Sequence, residues 1–252
     1  MSISTDYSKR TALVTGAASG IGAACARWLG AKGIGKLYLV DPNQAGLEAL
    51  RVGCEVEHFA NDVSDPAFWT NFEQQIGSLD HAVVNAGIAN AAPIGELSFD
   101  DWRKVMSVNL DGAFLTLSSA MRLMKAKGGS AVLVSSSTGV KAVPNTGAYG
   151  VSKAAVAHLA KIAALDGATS NIRVNAIAPG GVDTAIWDSS EGFVEAAKTH
   201  GREAALKGMA ATTPRGIFAS ADEIADNIGY LLSDAAANIT GAVLVSDGGF
   251  TL

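Results

Sequence analysis

Tyr149 and Lys153 stand four residues apart in AYGVSKAAVAHLAKIAAL, a stretch whose composition predicts a helix. Residues i and i+4 share one helical face, which puts the Lys153 ammonium beside the Tyr149 phenol. A free phenol titrates near ~10 and is a poor base at neutral pH. A neighbouring positive charge favours the phenolate. Lowering the pKa by ~3 units needs about 4 kcal/mol of differential interaction, within reach of one lysine plus a cationic ligand ring. Ser136 lies thirteen residues upstream, closing the apolar run AVLVS, and adds a hydroxyl donor. A tyrosine and a lysine one turn apart also occur on ordinary helices, so their meaning rests on their surroundings.

The segment Thr15-Gly16-Ala17-Ala18-Ser19-Gly20-Ile21-Gly22 follows the apolar run TALVT and opens the helical stretch IGAACARWLGAKG. Strand, glycine turn and helix start make a unit suited to a nucleotide. Glycine permits positive φ and close backbone approach. The helix N-terminus offers free N–H groups and a partial positive charge to a pyrophosphate. The spacing is G-x-x-x-G-x-G, not the commoner G-x-G-x-x-G.

Asp41 ends the run KLYLV, nineteen residues beyond Gly22. A carboxylate at the tip of the second strand suits the two ribose hydroxyls of an adenosine and repels a 2′-phosphate. No Arg or Lys stands at Ala18, Ser19 or Pro42 to receive one. These residues favour NAD(H) over NADP(H).

The elements that must position these groups are legible as near-continuous apolar runs, the pattern of parallel strands covered on both faces. They are TALVT, KLYLV, EVEHF, HAVVN, AVLVS, RVNAI and the final AVLVS. Helices are expected near 21–32, 43–51, 66–76, 99–125, 150–167, 191–208 and 221–232. With right-handed crossovers this is an α/β, doubly wound, Rossmann-like sheet of seven parallel strands with helices on both faces. The alternation runs through without a linker, so residues 1–252 read as one domain carrying both cofactor and substrate sites. Ligands of such sheets bind at the carboxyl ends of the strands. Gly16 to Gly22, Asp41, Asp62, Asn85 to Gly87, Ser136 and Pro179 all follow strand runs and converge there.

Composition narrows the classes. The 252 residues are 48% hydrophobic, with a net charge of −5, which gives no electrostatic case for nucleic acid or anionic membranes. No run reaches the ~18 apolar residues of a spanning helix. The polar start MSISTDYSKR lacks a signal-peptide pattern. Cys25 and Cys54 have no metal or redox spacing, and His58, His81, His158 and His200 are scattered, so no metal is expected. A cytoplasmic protein is expected.

With these residues in view, nearly the whole chain resembles the short-chain dehydrogenase/reductase family, in its single-domain branch of about 250 residues. Thr15 to Gly22 resembles the family's T-G-x-x-x-G-I-G. Asp62-Val63 is similar to its adenine-contacting D-V, and Asn85-Ala86-Gly87 to its N-A-G. Pro179-Gly180 and Val182-x-Thr184 resemble the P-G-x-V-x-T that holds the nicotinamide. Asn109, Ser136, Tyr149 and Lys153 match the catalytic residues. Among three consecutive serines, only Ser136 puts Gly139 at +3 and Pro144 at +8, as in the family. The resemblance also implies the strand order 3-2-1-4-5-6-7 and a homotetramer or homodimer packed through 99–125 and 150–167. In the implied mechanism Tyr149 exchanges a proton with the substrate oxygen and Ser136 donates to it. Lys153 lowers the Tyr149 pKa and holds the nicotinamide ribose, and Asn109 holds a water linking Lys153 to solvent.

The expected activity is hydride transfer between NAD(H) and a small, mainly apolar secondary alcohol or ketone. Thr138, Val143, Asn145 and Trp187, with Ser136 and Tyr149, are the expected substrate contacts. Two alternatives are an NADPH-dependent 3-oxoacyl-carrier-protein reductase, disfavoured by Asp41, and a non-catalytic dinucleotide sensor, disfavoured by the intact Ser136, Tyr149 and Lys153. Residues 185–212 are far longer than a usual ~2–6 residue connection. They mix Ile186, Trp187, Phe193, Val194, Leu206 and Met209 with Asp188, Glu191, Glu195, Lys198, Arg202 and Lys207, as short amphipathic lid helices would.

Overall fold

A computed structural model describes residues 7–189 and 191–252. The polar stretch before Tyr7, and Ser190 within the expected lid, lie outside the described residues. Seven parallel strands form one sheet in the order β3-β2-β1-β4-β5-β6-β7, the expected doubly wound order. They are β1 (Thr11–Thr15), β2 (Lys36–Val40), β3 (Glu55–Phe59), β4 (His81–Val84), β5 (Gly129–Val134), β6 (Ile172–Pro179) and β7 (Val243–Ser246).

Alternating side chains feed two cores. Ala12 and Val14 of β1 pack on one side with α1 (Gly20–Ala31) and α9 (Ala221–Leu232), through Ala24, Cys25, Leu29, Ile224 and Ile228. Leu13 and Val84 face the other side. There they meet α3 (Pro66–Ile76), α5 (Gly112–Met124) and α6 (Gly147–Gly167) through Trp69, Phe72, Leu117, Val156 and Ala160. Burial on both faces is why the inner strands lack a polar period, while the edge strands β3 and β7 are partly exposed. The short α2 (Gln44–Ala49) links β2 to β3.

Three departures from the expected helices bear on the site. The stretch 99–125 forms α4 (Phe99–Met106) and α5, joined by a π-helical turn at Ser107–Asp111 that carries Asn109. Helix α6 begins at Gly147, not 150, so Tyr149 lies inside its first turn. The stretch 191–208 breaks into α7 (Glu191–His200) and α8 (Arg202–Ala210), because Gly201 takes a φ of 83° that only glycine adopts readily. Ala185–Ser189 ahead of them is a 3₁₀ turn.

No described helix is long and apolar enough to cross a membrane. Among the described residues no cluster of three His, Cys, Asp or Glu could hold a metal.

Candidate active site

The chain turns one way after β1 and the other way after β4, leaving a crevice where both strands end. The two turns are stitched together there. The Thr15 hydroxyl, fully buried, accepts from the backbone N–H of Asn85 (3.0 Å) and Ala86 (3.2 Å). Asn85 Nδ2 in return donates to the Thr15 carbonyl at 3.0 Å and the Gly16 carbonyl at 3.3 Å. The glycine turn is therefore rigid and narrow. A Cβ on Gly22 would stand 2.0 Å from the Gly16 carbonyl oxygen, so no other residue fits. Ser19, the residue before α1, makes no side-chain cap, leaving the first N–H groups of the helix open to an anion. Ile21 packs against the core below.

Asp41 reaches this turn directly. Its carboxylate accepts from the Ala18 N–H at 3.1 Å and the Asn43 N–H at 2.9 Å. The negative charge therefore stands over the middle of the glycine turn. Asp62 closes its own turn by accepting from the Ser64 N–H and hydroxyl, each at 2.8 Å. Val63 is buried, with its carbonyl taken by the Trp69 indole at 2.8 Å. On the far side, Gly180 N–H bonds the Ser246 carbonyl at 3.0 Å, anchoring the turn after Pro179 to β7. Val182 is buried and bridges to Ala219. The Thr184 methyl would lie 3.3 Å from a Cβ on Gly20, so the two ends of the crevice nearly touch.

Lys153 is buried, and its ammonium donates to the Val134 carbonyl at 2.8 Å, 5.8 Å from the centre of the Tyr149 ring. Ser135 clamps the same helix from the strand side, donating to the Lys153 carbonyl at 2.7 Å. Ser136 follows, buried, and its hydroxyl acts to lower the Tyr149 pKa. A Cβ on Gly87 would lie 3.1 Å from Lys153 Nζ and 3.3 Å from Asn109 Oδ1, so the turn after β4 brings these side chains to one point. The Asn109 carboxamide accepts from the Ile88 N–H (2.8 Å) and donates to the Ile88 carbonyl (3.0 Å) and the Ser152 hydroxyl (3.1 Å). Ser152 donates on to the Tyr149 carbonyl at 2.7 Å.

One expectation needs correction. The lysine does not lower the Tyr149 pKa in this arrangement. Burial raises the phenol above its ordinary value, and the Ser136 hydroxyl opposes this only in part. Burial also lowers Lys153 itself, to about 8. The Asn109 side chain has both amide protons committed to Ile88 and Ser152, which leaves the second lone pair of Oδ1 free on that side chain. Ser135 and Ser152 escaped sequence reasoning. Ser152 is one residue before Lys153 and three after Tyr149, a spacing that could have flagged it.

The expected substrate contacts are less uniform. Thr138 touches Ser136 through both its N–H and its hydroxyl. Val143 and Asn145 act here through their carbonyls, which accept from Thr146 Oγ1 (2.8 Å) and the Ala92 N–H (2.9 Å). Asn145 takes a φ of 65°. Trp187 stacks on Phe218 with ring centres 5.3 Å apart and donates to the Val182 carbonyl at 2.8 Å. Arg202, in the segment expected to be a lid, is tied back to the chain that leads into it. It donates to Asp188 (2.7 Å), Asp183 (2.9 Å) and the Thr184 carbonyl (2.9 Å).

A narrow glycine cradle at a helix start, beside a carboxylate and a buried Tyr–Lys–Ser group, defines a dinucleotide-dependent oxidoreductase site. The family model described as enoyl-(acyl carrier protein) reductase matches residues 16–251. The cis-4-hydroxycyclohexanecarboxylate dehydrogenase of Sinomonas cyclohexanicum is 39% identical, over 97% of this chain and 98% of that protein. The NADP-dependent (R)-specific alcohol dehydrogenase of Lentilactobacillus kefiri is 35% identical, over 96% of each. The crystal structure of levodione reductase superposes with a TM-score of 0.89 at 32% identity, covering 97% of this chain and 98% of that one. The chain belongs to the short-chain dehydrogenase/reductase family. It is a dehydrogenase/reductase of a family that binds a nicotinamide dinucleotide.

Proposed function

We propose that the protein transfers a hydride between NAD(H) and a small, mainly apolar secondary alcohol or ketone, with Tyr149 as the proton-transfer group. The observation that carries this is the buried Lys153 ammonium 5.8 Å from the centre of the Tyr149 ring, where the turn after β4 meets it beside the glycine cradle. When bound, the nicotinamide supplies the hydride acceptor or donor and, oxidised, a positive charge. Gly16, Ser19, Gly20, Ile21 and Gly22 would hold the pyrophosphate. Asp41 would take the ribose hydroxyls, with Asp62 and Val63 at the adenine, and Asn85 to Gly87, Pro179, Gly180, Val182 and Thr184 at the nicotinamide end. Ser136 would donate to the substrate oxygen where negative charge develops. Tyr149 would take the alcohol's proton, or return it to a carbonyl in reverse. Lys153 would hold the ribose and favour the phenolate once the site is complete.

The substrate class rests on the lid. Trp187, Phe193 and Phe218 pack together, and the Arg202 charge is already paired with two carboxylates, which favours a mainly apolar substrate. The relative that acts on a hydroxycyclohexane ring supports a cyclic alcohol. An NADP(H) reading draws support from the NADP-dependent relative. The Asp41 carboxylate against Ala18 opposes it, because a 2′-phosphate would meet a like charge. The test is turnover of cyclohexanol, cis-4-hydroxycyclohexanecarboxylate and a 3-oxoacyl thioester with both cofactors. At least a tenfold preference in kcat/KM for NAD(H) is expected, equivalent to ~1.4 kcal/mol. Equal values would remove the role given to Asp41.

A homotetramer or homodimer is part of the same proposal. The outer faces of α5 and α6 leave Phe114, Val151, Ile162 and Leu165 exposed. Light scattering showing a monomer at micromolar concentration would contradict it.

A further inference from the structure

The geometry points to Thr138 as a positioning residue that fixes the direction of the Ser136 hydroxyl and strengthens it as a donor. This inference rests on the reading of Ser136 given above. The Ser136 oxygen receives the Thr138 N–H at 3.2 Å and the Thr138 hydroxyl at 3.0 Å. A serine oxygen offers two lone pairs and one proton. With both donors arriving from Thr138, the single Ser136 proton is left to point away from Thr138, and the Ser136 hydroxyl favours the ionised Tyr149 phenol.

The local fold makes this arrangement hard to avoid. Ser136 ends the extended chain of β5 with φ −162° and ψ 155° and caps the 3₁₀ turn Ser137–Gly139, so the Thr138 N–H must face it. The turn itself is pressed against α6. A Cβ on Gly139 would lie 2.7 Å from the Ala154 nitrogen. Ser136 is buried and Thr138 half-buried, so water competes weakly for either hydroxyl. Hydrogen bonds in series polarise one another, by about 10–30% per bond. A Ser136 oxygen that accepts twice is therefore a better donor than one that accepts once. The Thr138 hydroxyl thus acts through Ser136 on whatever oxygen lies at Tyr149.

Thr138→Val removes the hydroxyl and keeps the shape and the N–H; Thr138→Ser keeps the hydroxyl. In the ligand-free protein carrying [13Cζ]tyrosine, Tyr149 is one of four tyrosines, and Tyr149→Phe identifies its signal. The Tyr149 titration midpoint should move up by about half a unit in Thr138→Val and stay in place in Thr138→Ser. With cyclohexanol and NAD+, kcat should fall about five- to tenfold in Thr138→Val, with KM for NAD+ unchanged, and return in Thr138→Ser. Equal midpoints and equal kcat in the wild type and Thr138→Val would overturn the inference. Ser136→Ala separates the two levels. If it loses turnover while Thr138→Val does not, only the Thr138 inference fails. If it keeps full turnover, the reading of Ser136 fails and the Thr138 inference with it.

Discussion

His81 starts β4 at the edge of the sheet opposite the cradle, and its surroundings fix its protonation state. Ser130 Oγ donates to the Leu232 carbonyl at 2.7 Å and lies 2.8 Å from His81 Nδ1, so Nδ1 must carry the proton. Arg10, which can only donate, stands 3.5 Å from Nε2, so Nε2 must accept. The imidazole is neutral in the fold. Burial, and then the Arg10 charge, lower its pKa to about 4; Asp80 and Asp234 oppose this, Arg173 adds to it, and the Tyr7 ring packs against it in an edge-type contact, ring centres 5.3 Å apart. Above pH 6.5 the ring is neutral both folded and unfolded, and its contribution to stability is complete. As the pH falls from 6.5 toward 4, the unfolded chain binds a proton that the fold refuses, so stability falls. By pH 5 the loss is about 2 kcal/mol, and near pH 4 it levels at about 3 kcal/mol. Urea unfolding at pH 7.5, 6 and 5 measures it, with His81→Asn as the reference that cannot titrate. The wild type should lose about 2 kcal/mol more than His81→Asn between pH 7.5 and 5. Parallel losses in the two proteins would refute the assignment of a neutral, proton-refusing His81.

Two further outcomes test how the crevice is held. Thr15→Val keeps the strand's shape but leaves the Asn85 and Ala86 N–H groups without their acceptor. It should cost about 2–4 kcal/mol in urea unfolding and weaken NADH binding, and a loss below about 0.5 kcal/mol would contradict the stitched turn. Amides of 185–212 should exchange fast in the free protein and slow with NADH plus a substrate analogue. Arg202→Ala should speed the free-state exchange up to about fivefold, since its ion pairs are exposed; complete protection without ligand would make the segment a rigid wall.

Most strands were legible to within about two residues because they are apolar runs ended by a chemical signal. TALVT ends at Gly16 and KLYLV at Asp41, and both strands stop there. The glycine cradle was legible because only glycine tolerates the contact at Gly22. The π-helical turn at Ser107–Asp111 was not, since one extra residue in a turn leaves the apolar spacing of 99–125 nearly intact. The balance of charge at Tyr149 was not legible either. Spacing puts Lys153 on the right face, but the ammonium's bond to the Val134 carbonyl and the depth of the phenol come only from tertiary packing. Ser152 was hidden for the same reason, because its partner Asn109 arrives from a distant helix.

The central claim is that Tyr149 moves the proton while the rest of the site binds the dinucleotide. Tyr149→Phe keeps the ring and removes only the phenol oxygen. The decisive measurement is NADH affinity by nicotinamide fluorescence together with alcohol turnover, on the same preparation of this variant. The account predicts an NADH Kd within about twofold of the wild type and a kcat lowered by at least about 10²-fold, the usual contribution of a positioned acid/base. Turnover within tenfold of the wild type, with NADH bound normally, would contradict it.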